Sequence, residues 1–202
     1  MNFLGKEIGH GQPVFIIAES GINHGGNLAT AMKMADVAKE CGADAVKFQK
    51  RHLPSLYRKA ALDHPSEEAM SLGVYIPVLK QCELSEEAHW KLKAHCEEIG
   101  IQYLCSPWDL ASLNFLQSMK VEGYKLPSAC LTDTQLIAAV AQTKKPFIVS
   151  TGMHSWDEVT DVLRWLNAQY ADQFAVMHCI SSYPTANKDV NLGVIRRLDH
   201  FR

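Results

Sequence analysis

Ile17-Ala18-Glu19-Ser20-Gly21-Ile22-Asn23-His24-Gly25-Gly26 and, one helix later, Ala45-Val46-Lys47-Phe48-Gln49 decide how this chain reads. Each stretch begins as an apolar strand and ends in chemically capable residues. A glutamate, an asparagine, a histidine, a lysine and a glutamine are thereby delivered to one end of a parallel sheet. Parallel α/β folds place their chemistry at that end.

The rhythm continues outward from these strings. Val14 to Ser20 reads as a buried strand, and Asn27 to Cys41 as a helix capped by Asn27 and ended by Gly42. Ala45 to Gln49 is the second strand. Lys50 to Leu84 holds Pro54, Pro65 and Pro77 without a clean period and reads as a long loop. Ser85 then caps a helix to Ile99, which Gly100 ends. Strands over Gln102 to Ser106, Tyr124 to Ser128, Pro146 to Thr151 and Phe174 to Cys179 alternate with helices over Asp109 to Met119, Asp133 to Gln142 and Ser155 to Gln169. A last helix begins at Asn191. About six strand-helix units imply a parallel sheet, as an open doubly wound sheet or as part of an eight-unit barrel. No Gly-x-Gly-x-x-Gly follows the first strand, which disfavours a dinucleotide fold. No linker divides residues 1 to 202, which read as one domain.

The composition is that of a globular protein: 202 residues, 47% hydrophobic and 21% charged. A net charge of -2 and a pI near 6.5, with no basic patch among aromatics, argue against nucleic acid or a membrane surface as partner. No apolar run approaches a membrane span, and Met1 to Pro13 is not a signal peptide. The six cysteines are scattered without a CxxC and read as reduced thiols of a cytoplasmic protein.

Several groups stand out chemically. Lys47 and Gln49 share one strand face, and a buried lysine needs an anion or carboxylate to meet it. Lys125 and Ser128 repeat the theme on another strand, Ser106 closes the third strand, and Ser150-Thr151-Gly152 closes the fifth. Two cations with hydroxyls and free backbone N–H groups at strand ends suit a phosphate. Each hydroxyl alone would read as a cap or turn residue. Glu19 and Asn23 follow the first strand, where Glu19 can bind a polyol or move a proton; the plainer reading is a strand-ending turn. His178 and Cys179 point to opposite faces of a strand, so they do not ligate one ion together. His89 and His95, six apart on a helix, do not share a face and read as solvent-exposed.

The segments FIIAESGINHGGN, AKECGADAVKFQ, LCSPWD, GYKLPSACLTD, FIVSTGM and MHCISSYPTANKDVNL run in order from residue 15 to residue 192. Together they resemble the N-terminal barrel domain of the NeuB-type sialic acid synthases. The resemblance implies a TIM-type (β/α) barrel with about six of its eight units in this chain. It also implies condensation of phosphoenolpyruvate with an N-acetylmannosamine-type amino sugar to give a sialic acid and phosphate. By that resemblance Lys47, Ser106, Lys125, Ser128 and Ser150 hold phosphoenolpyruvate, with Gln49 beside them, and Glu19, Asn23 and Tyr183 line the sugar and reaction site. Glu19, Lys47 and Lys125 are the expected catalytic set.

The family further implies a divalent metal, Mn2+ or Mg2+, whose ligands are expected beyond Arg202. A small C-terminal domain resembling antifreeze proteins, also expected there, lends an arginine to the partner's site in a homodimer. Residues 1 to 202 alone are therefore expected to be poorly active. Where the family commonly has an acidic residue after the YK-x-x-S-x string, this chain has Cys130. A neutral thiol does not replace a carboxylate, which favours a related acceptor, of the pseudaminic, legionaminic or spore-coat kind, a weakened enzyme, or a non-catalytic barrel that binds an anion or a partner.

Overall fold

The computed structural model describes residues 1–65 and 70–201. The chain divides into two compact units, Pro13–Val121 and Met1–Gln12 with Glu122–Arg202.

The first unit is a parallel α/β layer. Strand β3 (Ile17–Gly21) pairs with β4 (Ala45–Lys50), and β4 with β5 (Gln102–Pro107); β1 (Asn2–Phe3) and β2 (Lys6–Glu7) belong to the second unit. Helix α1 (Leu28–Glu40) connects β3 to β4, and its N-terminus is capped by the Asn27 side chain accepting from Thr30 N–H. It buries Ala31, Ala35 and Ala38, residues small enough for close approach. Both faces of β4 are covered: Val46 and Phe48 pack outward while Lys47 is enclosed on the other face.

The stretch from Lys50 to Leu84, expected as a loop, instead holds three helices. These are α2 (Leu53–Leu56), α3 (Lys59–Asp63) and α4 (Met70–Cys82), while residues 66–69 lie outside the described residues. The period of α4 is blurred because Val74, Tyr75 and Val78 are exposed while Ile76 and Leu79 are buried. Pro77 sits inside this helix and removes one of its N–H donors, which further hides it from sequence reading.

Helix α5 (Glu86–Ile99) is capped by Ser85 and ends at Gly100 in the left-handed conformation. Its buried stripe is His89, Leu92 and Cys96, so the expectation that His89 faces solvent is corrected. His89 is 0% exposed, and its Nδ1 and the Tyr103 hydroxyl share a hydrogen bond of 2.8 Å. His95 Nε2 meets Asp36 Oδ1 of α1 at 2.7 Å. Helix α6 (Leu110–Ser118), capped by Asp109, closes the unit.

Burial, aided by the charges of Lys50 and His24, holds His89 down to a pKa of about 3. Its unfolded value is about 6.5, so the unfolded chain binds one more proton between these values. Stability is then present above pH 6.5 and lost as pH falls towards 3. Burial lowers His24 as well, with the same sign. We expect unfolding free energy to fall by about 1.4 kcal/mol per pH unit from pH 6 to pH 4 through His89 alone. Urea titrations at several pH values check this, and a slope unchanged in H89Q would contradict it.

In the second unit a two-strand hairpin, β1 (Asn2–Phe3) with β2 (Lys6–Glu7), precedes the parallel set. Leu4 and Gly5 turn it, both at positive φ as a tight hairpin requires. The polar N-terminus gave no strand signal because only Phe3 and Leu4 are buried. Strand β6 (Tyr124–Leu126) pairs with β7 (Phe147–Ser150), and β7 with β8 (Phe174–Met177), all parallel. Helix α7 (Thr134–Gln142) is capped by Asp133, and α8 (Trp156–Tyr170) by a complete Ser155/Glu158 capping box. The short α9 (Gly193–Leu198) follows, and then a 3-10 turn replaces the longer helix expected from Asn191.

Strand β6 stops at Leu126, and Ser128–Cys130 forms a 3-10 turn rather than a strand end. Pro127 fixes the exit from the strand. Among the described residues, no helix is long and apolar enough to cross a membrane.

Candidate active site

In the first unit the site is built around Lys47, which is 3% exposed. Parallel pairing sets Glu19 of β3 beside Lys47 of β4, and Ser106 of β5 beside Gln49. Lys47 Nζ lies 2.7 Å from Glu19 Oε2 and donates to Ser106 Oγ at 3.2 Å. The Glu19 side chain is 53% exposed, so the pair is dry at its cation and wet at its carboxylate. A buried ammonium with a solvent-reachable counter-ion can exchange that carboxylate for an incoming anion.

The β3 strand bulges between Glu19 and Gly21. Gly21 has φ of +55°, and a Cβ there would stand 3.2 Å from Glu19 Oε1 and 3.4 Å from Gln49 Nε2. The glycine therefore leaves room for these two side chains to approach the same point. Asn23 stands in the exposed turn that follows, its N–H donating to Ser20 C=O at 3.0 Å.

Sequence reading passed over Arg51 and gave Trp108 no role. Trp108 N–H donates to Lys50 C=O at 3.1 Å, prolonging the β4–β5 pairing beyond the strands. Arg51 then lies with its guanidinium 3.8 Å from the Trp108 ring centre and donates to Gln49 Oε1 at 2.5 Å. The available signal was the alternation Lys47, Gln49, Arg51, which continues one strand face past the end of β4. Lys50 points the other way, its Nζ 2.6 Å from Glu83 Oε1, and serves structure.

In the second unit Gly152 N–H donates to Ser128 Oγ at 3.1 Å, and His154 Nε2 lies 2.9 Å from Ser128 C=O. A Cβ on Gly152 would stand 2.6 Å from Ser181 Oγ and 2.9 Å from Ser128 Oγ. The glycine thus sits in a cradle of hydroxyls. Ser150 ends β7 with its side chain 0% exposed, and its Oγ has no hydrogen-bond partner among the described residues. A buried hydroxyl without a partner is costly, and a hydrogen-bonding group brought to it would offset that cost. Lys125 is half-buried on β6, paired in register with Ile148. Cys130 is buried. Tyr183 is 95% exposed, beside a cis bond to Pro184.

The structure therefore brings Glu19, Lys47, Gln49 and Ser106 together in one unit. It places Ser128 beside the turn that follows Ser150 in the other. A cavity of about 530 Å³ in the second unit runs along β8 and α9 and is lined by none of the expected site residues. Its lining is largely apolar, with Phe174, Val176, Ile195 and Leu198, and includes neither lysine nor arginine. Among the described residues no three His, Cys, Asp or Glu side chains gather as a metal site. The described residues do not form a binding set for the divalent metal that the resemblance implies.

Parallel strands that bring a buried lysine, a carboxylate and a hydroxyl together define an α/β protein with a candidate small-anion site. The NeuB family matches residues 34–201, and the chain belongs to that family. It is 35% identical over 204 residues to the N,N'-diacetyllegionaminic acid synthase of Legionella pneumophila, covering 98% of this chain and 57% of that one. It is 36% identical over 183 residues to the N-acetylneuraminate-9-phosphate synthase of Drosophila melanogaster, covering 90% and 49%. The chain thus spans about half the length of the curated relatives it matches. The crystal structure of an N-acetylneuraminic acid synthetase from Leptospira borgpetersenii in complex with citrate superposes with a TM-score of 0.85 at 29% identity, covering 100% of this chain and 66% of that one.

Proposed function

We propose that this chain is part of a nonulosonate synthase that condenses phosphoenolpyruvate with an open-chain 2-acetamido aldose and releases phosphate. The observation that carries this reading is the buried Lys47, held by Glu19 and Ser106 and able to trade its carboxylate partner for a ligand anion. Its relatives are named as synthases of sialic, legionaminic and pseudaminic acids, and one solved relative binds the polycarboxylate citrate. The barrel reading of the strand-helix alternation, with six of eight units present, belongs to the same proposal.

The chemistry is the one that the family resemblance implies. The vinyl carbon of phosphoenolpyruvate forms a bond to the aldehyde carbon, and the aldehyde oxygen takes up a proton. Water adds to the resulting C2 cation and gives up its proton. The C–O bond to phosphate then breaks from the tetrahedral intermediate, leaving the 2-keto acid and inorganic phosphate. Lys47 and Ser106 are proposed as anion ligands in one unit, and Lys125, Ser128 and Ser150 as anion ligands in the other, each able to stabilise negative charge. Glu19 is proposed as the proton carrier, and Asn23 and Tyr183 as contacts of the sugar. A divalent metal, by family likeness Mn2+ or Mg2+, would polarise the aldehyde; its ligands are proposed to lie outside residues 1–202. The working protein is proposed to be a homodimer in the cytoplasm.

The test is phosphate release by the protein at its full encoded length, with phosphoenolpyruvate, manganese and a panel of 2-acetamido hexoses, with product masses recorded. We expect an N-acetylated 2-keto acid with a nine-carbon backbone, or its phosphorylated form. Absence of both phosphate release and calorimetric phosphoenolpyruvate binding would overturn the proposal.

A further inference from the structure

We infer that Arg51 is a positioning residue that locks the Gln49 amide in one orientation, so that Gln49 presents a hydrogen-bond donor to an oxygen of the aldose acceptor. The inference deepens the proposed function and rests on it for the identity of the acceptor.

Arginine has donors only, so the Gln49 atom that meets it at 2.5 Å is the carbonyl oxygen Oε1. The amide's NH2 must then face the other way. Nε2 accordingly lies towards Gly21, in the space flanked by Glu19 Oε1. Arg51 is itself fixed: it is 5% exposed, and its guanidinium lies over the Trp108 ring at 3.8 Å. Trp108 is tied to the backbone of Lys50 and Glu83 Oε1 accepts from Arg51 N–H at 3.2 Å, so both ends of the arginine are anchored. The chain Trp108–Arg51–Gln49 therefore sets the polarity of one wall of the site.

That polarity selects its ligand. Glu19 offers only acceptors when ionised, and Gln49 offers a donor beside it. A hydroxyl, which both donates and accepts, satisfies the two together, as does a carbonyl oxygen with a neighbouring hydroxyl. A polyhydroxy 2-acetamido aldose carries both arrangements, whereas phosphoenolpyruvate carries only acceptors at neutral pH. Arg51 is thus expected to act on the sugar rather than on phosphoenolpyruvate.

R51M, R51K and Q49E are compared in the full-length protein. R51M is expected to raise KM for the aldose about tenfold, with phosphoenolpyruvate affinity changed by less than about twofold. R51K, which keeps a donor for Oε1, recovers most of that loss. Q49E, which turns the outward donor into an acceptor, is expected to be at least as impaired as R51M. Independently of turnover, the Gln49 side-chain NH2 signals in a 15N spectrum, assigned by their loss in Q49E, shift or broaden in R51M. Unchanged Gln49 signals in R51M, equal effects on both substrates, or wild-type aldose affinity in Q49E would each overturn the inference. A protein that neither releases phosphate nor binds phosphoenolpyruvate instead defeats the proposed function, and the spectrum still decides whether Arg51 holds Gln49.

Discussion

K47M is expected to weaken phosphoenolpyruvate binding on the order of 100-fold, the loss that follows removal of a buried charge-assisted partner. Methionine keeps the length and apolar stem of lysine, so the enclosed space stays filled. The partner left behind, Glu19, is 53% exposed and regains water, so the fold tolerates the change. Calorimetry with phosphoenolpyruvate, alongside thermal unfolding, separates binding from folding. The neighbouring Lys50 supplies the contrast, because it faces the other side of β4 and holds Glu83, whose side chain is only 17% exposed. K50M therefore lowers stability and leaves the anion site intact. Affinity unchanged in K47M, or lost equally in K50M, would contradict the assignment. K125A is expected to weaken binding in the same sense as K47M.

G26A carries the largest expected effect on stability. Gly26 has φ of +78°, and a Cβ there would stand 2.1 Å from the backbone oxygen of Gln81, an atom that cannot swing aside. Strain in the left-handed region and displacement of the end of α4 together cost roughly 2–5 kcal/mol. For a chain of this size that is a fall in Tm of roughly 5–15 °C. Gly25 is the internal control: its φ is +59°, yet nothing lies within 4 Å of a Cβ there. G25A is expected to cost only the backbone term, about 1 kcal/mol. Equal losses for the two variants, read by thermal unfolding, would show that the contact with Gln81 is not the cause.

Local patterns made much of the fold legible. The alternation of Lys47 and Gln49 fixed which side chains share a face, and Asn27, Ser85 and Ser155 announced the helix starts they cap. Helix α4 escaped because Pro77 interrupts it and its apolar residues are divided between a buried and an exposed side. His89 escaped because its isolation from His95 says nothing of the stripe it shares with Leu92 and Cys96.

The sequence by itself determined the parallel α/β architecture, the family and the residue types at the strand ends, because strand period, caps and motifs are properties of neighbours along the chain. Only the tertiary structure decided that Lys47 meets Glu19 and Ser106, that Arg51 over Trp108 orients Gln49, and that Ser150 keeps a buried hydroxyl without a partner among the described residues. Those facts depend on strand register and on which side chains share a dry space, and residues as far apart in sequence as Glu19, Lys47 and Ser106 acquire them only when the strands pair.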